Sequence, residues 1–101
     1  MPKRTSDYRA GLLEDLKDPR EAAYYLNAAL GDSDEMFLKA LRDVAEARQI
    51  TKVATSAGVS RESVYRMLSK TGNPRYSSLI GILGALGLKI SILPASAGLR
   101  R

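Results

Sequence analysis

The side chains best suited to chemistry lie in residues 50–69, ITKVATSAGVSRESVYRMLS. Helical spacing in the second half of this run turns five polar or aromatic residues outward: Arg61, Glu62, Tyr65, Arg66 and Ser69. Arginine can bind guanine through two hydrogen bonds in the major groove, and glutamate can accept one from cytosine. These residue types predict a helix that reads DNA bases. The alternative for each of them is an ordinary solvated helix surface.

The same run has the small and apolar residues of a helix-turn-helix, with helices at about 51–57 and 61–70. Ala54 lets the two helices approach closely, Gly58 permits a positive φ in the turn, and Ser60 can cap the second helix. Four apolar residues at helical spacing would form the seam between the helices: Val53, Ala57, Val64 and Met67. A packed helix pair without a DNA-binding role is the less specific interpretation.

Charge is distributed unevenly along the chain. Residues 1–49 contain eight Lys and Arg against ten Asp and Glu, whereas residues 50–101 contain eight against the single Glu62. The two parts therefore carry −2 and +7, within a net charge of +5. A concentrated positive region is the electrostatic footprint of a protein that binds a polyanion. The acidic part predicts a different partner, or only a solvated surface.

Composition excludes several classes of protein. The 101 residues are enough for one small domain. The absence of cysteine excludes disulfides and thiolate metal sites, and the absence of histidine removes the commonest general base and metal ligand. We therefore expect no enzyme, no metal and no other cofactor.

The chain has the features expected of a cytoplasmic protein. Its start, MPKRTSDYR, lacks the apolar run of a signal peptide. The longest apolar stretch, residues 79–93, contains Lys89 and is shorter than the ~20 residues of a membrane span. We expect no membrane association.

Helical periodicity and capping residues predict an all-α class. Residues 7–17 carry apolar side chains at i, i+4 and i+8, which indicates a short amphipathic helix. Three further helices have recognisable capping residues at their two ends. The first begins at Asp18 and ends at Gly31, the second begins at Asp32 or Ser33 and ends at about Arg48, and the third begins at Ser77 and ends at Gly87.

Residues 88–93, LKISIL, alternate apolar and polar side chains, which predicts a short β-strand. Such a strand must pair within the chain, across a dimer or with another protein, and a dimer sheet is our first interpretation. The predicted divisions are an N-terminal segment at 1–17, a helix-turn-helix domain at 18–93 and a disordered tail at 94–101.

The order of these segments resembles a known family. The run SKTGNPRYSSLIGILGALGL after the second helix is similar to Xre/Cro-type repressors. With DYRAGLLEDLKDPREAAYYLNAAL and LKALRDVAEAR before it, the chain from about Asp7 to Leu93 resembles the addiction-module antidote proteins, which are HigA-like antitoxins. We therefore expect a five-helix Xre/Cro-like helix-turn-helix domain with an N-terminal helical extension and a short C-terminal β-strand.

The resemblance also implies partners. Such antitoxins neutralise a small basic RelE/ParE-like toxin, and as homodimers they bind double-stranded operator DNA and repress their own gene pair. Six acidic side chains would complement a basic toxin: Glu14, Asp15, Asp18, Asp32, Asp34 and Glu35. The expected toxin contacts lie in the N-terminal segment: Tyr8, Leu12, Leu13, Glu14, Asp15 and Leu16. The three leucines fit a local core equally well.

The resemblance assigns DNA contacts residue by residue. The base-reading positions of the fold correspond to Ser60, Arg61, Glu62, Tyr65, Arg66 and Ser69. Thr51 and Lys52 correspond to the start of the first helix, which faces phosphate, and Lys70 and Arg75 are further expected phosphate contacts. Many Xre-like proteins have glutamines near Thr51 and Glu62. This chain has neither, so that rule does not give its operator sequence.

Two other functions fit the same sequence. One is a stand-alone Xre-like repressor without a toxin partner. The other is a protein-interaction module whose helix-turn-helix has lost DNA binding. A neighbouring gene for a small basic protein would distinguish an antitoxin from a stand-alone repressor.

Overall fold

The computed structural model describes residues 5–95, with side chains from Asp7 onward, and this part of the chain folds into six α-helices. They are α1 (Thr5–Asp15), α2 (Pro19–Asp32), α3 (Asp34–Ala47), α4 (Ile50–Ala57), α5 (Arg61–Met67) and α6 (Tyr76–Ala85). None of these six is long and apolar enough to cross a membrane.

Side-chain caps begin three of the helices. The Asp18 carboxylate accepts a hydrogen bond from the backbone N–H of Arg20 at 2.8 Å, at the start of α2. Ser33 and Ser60 cap α3 and α5 in the same way, each at 3.0 Å. Each bond satisfies one of the N–H groups that a first helical turn leaves unpaired. The sequence predicts the Asp18 and Ser60 caps, which the structure confirms, and offers both Asp32 and Ser33 for α3, of which Ser33 is the cap.

Two glycines with positive φ end helices. Gly58 follows α4 at φ 76°, and the next residue, Val59, donates its backbone N–H to the carbonyl of Ala54 at 3.0 Å. The same arrangement recurs at Gly87 after α6, also at φ 76°. Side chains other than that of glycine disfavour this left-handed conformation. The Gly58 turn thus sets the direction in which the chain leaves α4 toward α5.

α3 is the central helix of the fold. It contacts α1, α2 and α4, and α4 in turn packs against α5 and α6. Leu41 and Val44 of α3 are fully buried, as are Val64 and Leu68 in and after α5 and Ile82 of α6. One apolar core therefore holds α4, α5 and α6 against the N-terminal helices.

A buried carboxylate ties the first three helices together. Asp43 of α3 is only 2% exposed. It accepts hydrogen bonds from the Arg9 guanidinium of α1 at 3.0 Å, the Tyr25 hydroxyl of α2 at 2.7 Å and the Lys39 ammonium at 3.2 Å. Arg9 also reaches Glu46 at 2.9 Å. A buried charge is tolerated when donors pair it, and three donors do so here.

The all-α class is confirmed, but two details of the predicted fold are wrong. Residues 5–95 contain six helices rather than five, and residues 88–93 form no β-strand. The apolar and polar alternation is real, but no neighbouring strand in the described chain supplies the backbone partners that a strand requires. Of the predicted tail at 94–101, residues 96–101 lie outside the described residues.

Three predicted helix ends also differ from the structure. α2 continues past Gly31 because the backbone of Ser33 closes α2 while its side chain opens α3. α5 ends at Met67, before its predicted end. α6 begins at Tyr76 without a side-chain cap, so Ser77 lies inside the helix and does not cap it.

Candidate nucleic-acid interface

α5 presents a polar surface because its inner side is anchored in the core. Val64 and Leu68 are fully buried beneath it. The predicted base-reading side chains all reach the surface: Ser60, Arg61, Glu62 and Arg66 are exposed, and Tyr65 and Ser69 are half-buried. The structure thus brings together, on and beside one short helix, the donors and acceptors that base recognition needs.

The two arginines of this surface have only weak partners. The Arg61 guanidinium lies over the Tyr65 ring, 5.3 Å from its centroid. Arg66 donates a hydrogen bond to the Ser63 hydroxyl at 3.1 Å. Neither arginine forms an ion pair with another residue of the described chain. Both can therefore exchange these contacts for base or phosphate oxygens.

The predicted phosphate contacts lie on elements next to α5 in the chain. Thr51 and Lys52 are exposed in the first turn of α4, and the exposed Arg75 immediately precedes α6. Lys70, in the loop after α5, is 83% exposed and lies 3.9 Å from the Glu35 carboxylate of α3. A surface pair of this kind contributes little stability, so Lys70 can exchange it for a phosphate.

The predicted toxin contacts are divided between surface and core. They fall into three groups: Tyr8, Glu14 and Asp15 are exposed, Leu12 and Leu13 are half-buried, and Leu16 is buried. Leu16 is 2% exposed and belongs to the central core, so it anchors the end of α1. The exposed members remain the ones available to a partner.

The acidic residues form two groups at opposite ends of α2. One group, Glu14, Asp15 and Asp18, precedes α2, and the other is Asp32 at its last position with Asp34 and Glu35 at the start of α3. A helix of 14 residues is about 21 Å long. One basic partner would have to extend over about that distance to contact both groups.

Sequence reasoning missed the buried Asp43 and its partners. Lys39 and Asp43 have the i, i+4 spacing of a helical ion pair, which is the only local signal. Arg9 lies 34 residues away from Asp43, so no periodicity connects them. Within residues 5–95 no group of carboxylates is arranged to hold a metal ion.

Comparisons relate this chain to known proteins. A family model described as a probable addiction module antidote protein matches residues 8–94, which include most of α1 and all of α2 to α6. An uncharacterized protein of Haemophilus influenzae is 40% identical over 93 residues, covering 91% of this chain and 94% of that protein. No solved structure matches the chain.

Proposed function

This chain belongs to the family of probable addiction module antidote proteins, and from that premise we propose that it is the antitoxin of a type II toxin–antitoxin pair. In this role it binds and neutralises a small basic RelE/ParE-like toxin. It also binds the operator of its own gene pair through the helix-turn-helix and represses transcription. The exposed face of α5, with two weakly partnered arginines, is the observation that carries DNA binding.

Repression fits a homodimer on an inverted repeat, because two-fold related copies of α5 would enter successive major grooves about 34 Å apart. Uncovered apolar side chains beside α6 support a dimer. Tyr76, Ile90 and Ile92 line one groove and are 73%, 45% and 91% exposed. Apolar side chains exposed together in this way would be buried if two copies associate through the groove. The mass of a single chain in sedimentation equilibrium would contradict the dimer.

Toxin binding is supported by the charge and exposed aromatic side chains of the N-terminal helices. The acidic groups at the two ends of α2 would attract a basic partner and speed its association. Tyr8 of α1 and Tyr24 of α2 are 60% and 74% exposed. Tyrosine is one of the residue types that most often anchors protein interfaces.

Co-expression with the product of the adjacent gene tests the antitoxin role. We expect that gene to encode a small basic protein that arrests growth when expressed alone. The chain described here should form a stable complex with it and restore growth. A non-toxic neighbour and no complex, together with operator binding, would favour a stand-alone repressor. Failure of both toxin and operator binding would contradict the proposed function.

A further inference from the structure

A cleft of about 510 Å³ opens beside the first turn of α4 and brings together cations from three parts of the chain. Lys17 comes from the turn between α1 and α2, Arg48 from the end of α3, and Lys52 from α4. Gln49 and Ser56 add polar groups to the lining. Glu14 lies 3.0 Å from the Lys17 ammonium, but no aspartate or glutamate is among the described residues that line the cleft, so the lining itself is positively charged and favours an anion.

The fold moves positive charge out of the acidic part of the sequence. Lys17 and Arg48 both belong to residues 1–49, whose net charge is −2. In the structure they join Lys52 at the helix-turn-helix. The sequence alone does not indicate this grouping, because Lys17 is far along the chain from Arg48 and Lys52.

Each of the three cations keeps capacity for a further partner. Lys17 pairs with Glu14 at 3.0 Å, but the two side chains are 57% and 73% exposed, and such pairs contribute little. Arg48 donates one N–H to the carbonyl of Leu86 at 3.2 Å, while a guanidinium has five N–H donors. Lys52 forms no ion pair with the described residues. An anion could enter without displacing a strong partner.

We infer that this cleft binds a backbone phosphate of the operator duplex through Lys17, Arg48 and Lys52. The inference rests on the proposed DNA binding through α5. In a helix-turn-helix the first helix crosses the DNA backbone while the second lies in the major groove, and the cleft opens at the start of that first helix. The turn between α1 and α2 thereby joins the DNA-binding surface and adds affinity that does not depend on sequence.

The salt dependence of operator binding tests the assignment. Wild type and Lys17→Gln are each titrated with the operator duplex over a range of salt concentrations. Each lost phosphate contact should reduce the magnitude of the slope of log affinity against log salt by about 0.9, so the two copies of Lys17 in a dimer should reduce it by about 1.8. Binding at physiological salt should weaken correspondingly. Arg20→Gln removes an exposed cation of α2 that does not line the cleft, and it should leave the slope unchanged. Equal thermal unfolding of the three proteins controls for folding.

A second measurement detects the DNA backbone near the cleft. The chain has no cysteine, so Ser56→Cys gives a single attachment point inside the cleft for an iron chelate that cleaves nearby DNA. We expect cleavage of the backbone beside each half-site. Ala28→Cys, exposed on α2 and outside the cleft, is the control and should give no such cleavage.

The outcomes separate this inference from the proposed function. If wild type binds the operator but Lys17→Gln keeps its salt slope, or Ser56→Cys gives no cleavage, the assignment is overturned and the repressor role stands. If wild type binds no operator, both are overturned. NMR shift changes around the cleft with millimolar inorganic phosphate, but none with the duplex, would instead assign a site for free anions.

Discussion

At the scale of single residues, Asp43 and Tyr25 stabilise each other in one protonation state. Burial raises the pKa of Asp43, but hydrogen bonds from Tyr25, Arg9 and Lys39 outweigh it, so this pKa lies below its usual value. Burial, followed by the hydrogen bond to Asp43, raises the pKa of Tyr25 to about 12. The folded state therefore favours an ionised Asp43 beside a neutral Tyr25.

Tyr25→Phe removes the hydroxyl that donates to Asp43 at 2.7 Å. A hydrogen bond to a buried charge contributes more than a neutral one, so we expect the free energy of unfolding to fall by about 2 kcal/mol. Urea denaturation measures the change. Tyr24→Phe is the matched control, because Tyr24 is 74% exposed, and its effect should be within about 0.5 kcal/mol. Equal losses of unfolding free energy in the two variants would contradict a stabilising hydrogen bond from Tyr25 to Asp43.

The same pair predicts how stability depends on pH. The folded pKa of Asp43 is depressed, so its contribution is present above the unfolded value near 3.8 and is lost as the pH falls through the folded pKa. The folded pKa of Tyr25 is raised from 10.0 to about 12, so its contribution is complete below pH 10 and is lost as the pH rises toward 12. Thermal unfolding between pH 10 and 12 should show a smaller decline in Tyr25→Phe than in wild type. An identical alkaline decline would show that Tyr25 is not responsible.

At the scale of elements, α5 depends on its cap, because it has only seven residues and short helices are marginal alone. Ser60→Ala removes the side-chain acceptor at its start and should lower the free energy of unfolding by about 1 kcal/mol. Ser77→Ala is the control, since Ser77 lies within α6 and caps no helix. Denaturant midpoints measure both. If Ser77→Ala lowers the free energy of unfolding as much as Ser60→Ala does, the loss cannot be attributed to the cap at Ser60.

The turn between α4 and α5 and the start of α5 could be predicted from the sequence because their determinants are local. Ala54, Gly58 and Ser60 lie within seven positions and specify close approach, a left-handed turn and a cap. The β-strand at 88–93 was a wrong prediction for the opposite reason. Alternation describes which side chains share a face, whereas a strand also needs a neighbouring strand, and residues 5–95 provide none.

At the scale of the whole molecule, the features that the sequence did not predict join residues that are distant in the chain. Arg9 and Asp43 meet across 34 positions, and the cations of the α4 cleft come from three elements. The division into an acidic and a basic part is therefore only partly preserved in the fold. Lys17 and Arg48 carry positive charge from the acidic part to the cleft beside α4, which the charge sum of each part cannot reveal.

We propose that α5 is the helix that binds operator DNA. Nuclease protection of the operator with the double variant Arg61→Ala/Arg66→Ala tests this proposal most directly. Both side chains are exposed, so the variant should fold and still neutralise the toxin, which serves as its control. Each base-reading arginine contributes about 1–3 kcal/mol, so we predict a loss of operator affinity of about 100-fold or more. Protection at the wild-type concentration by a variant that still neutralises the toxin would contradict the assignment of α5 as the recognition helix.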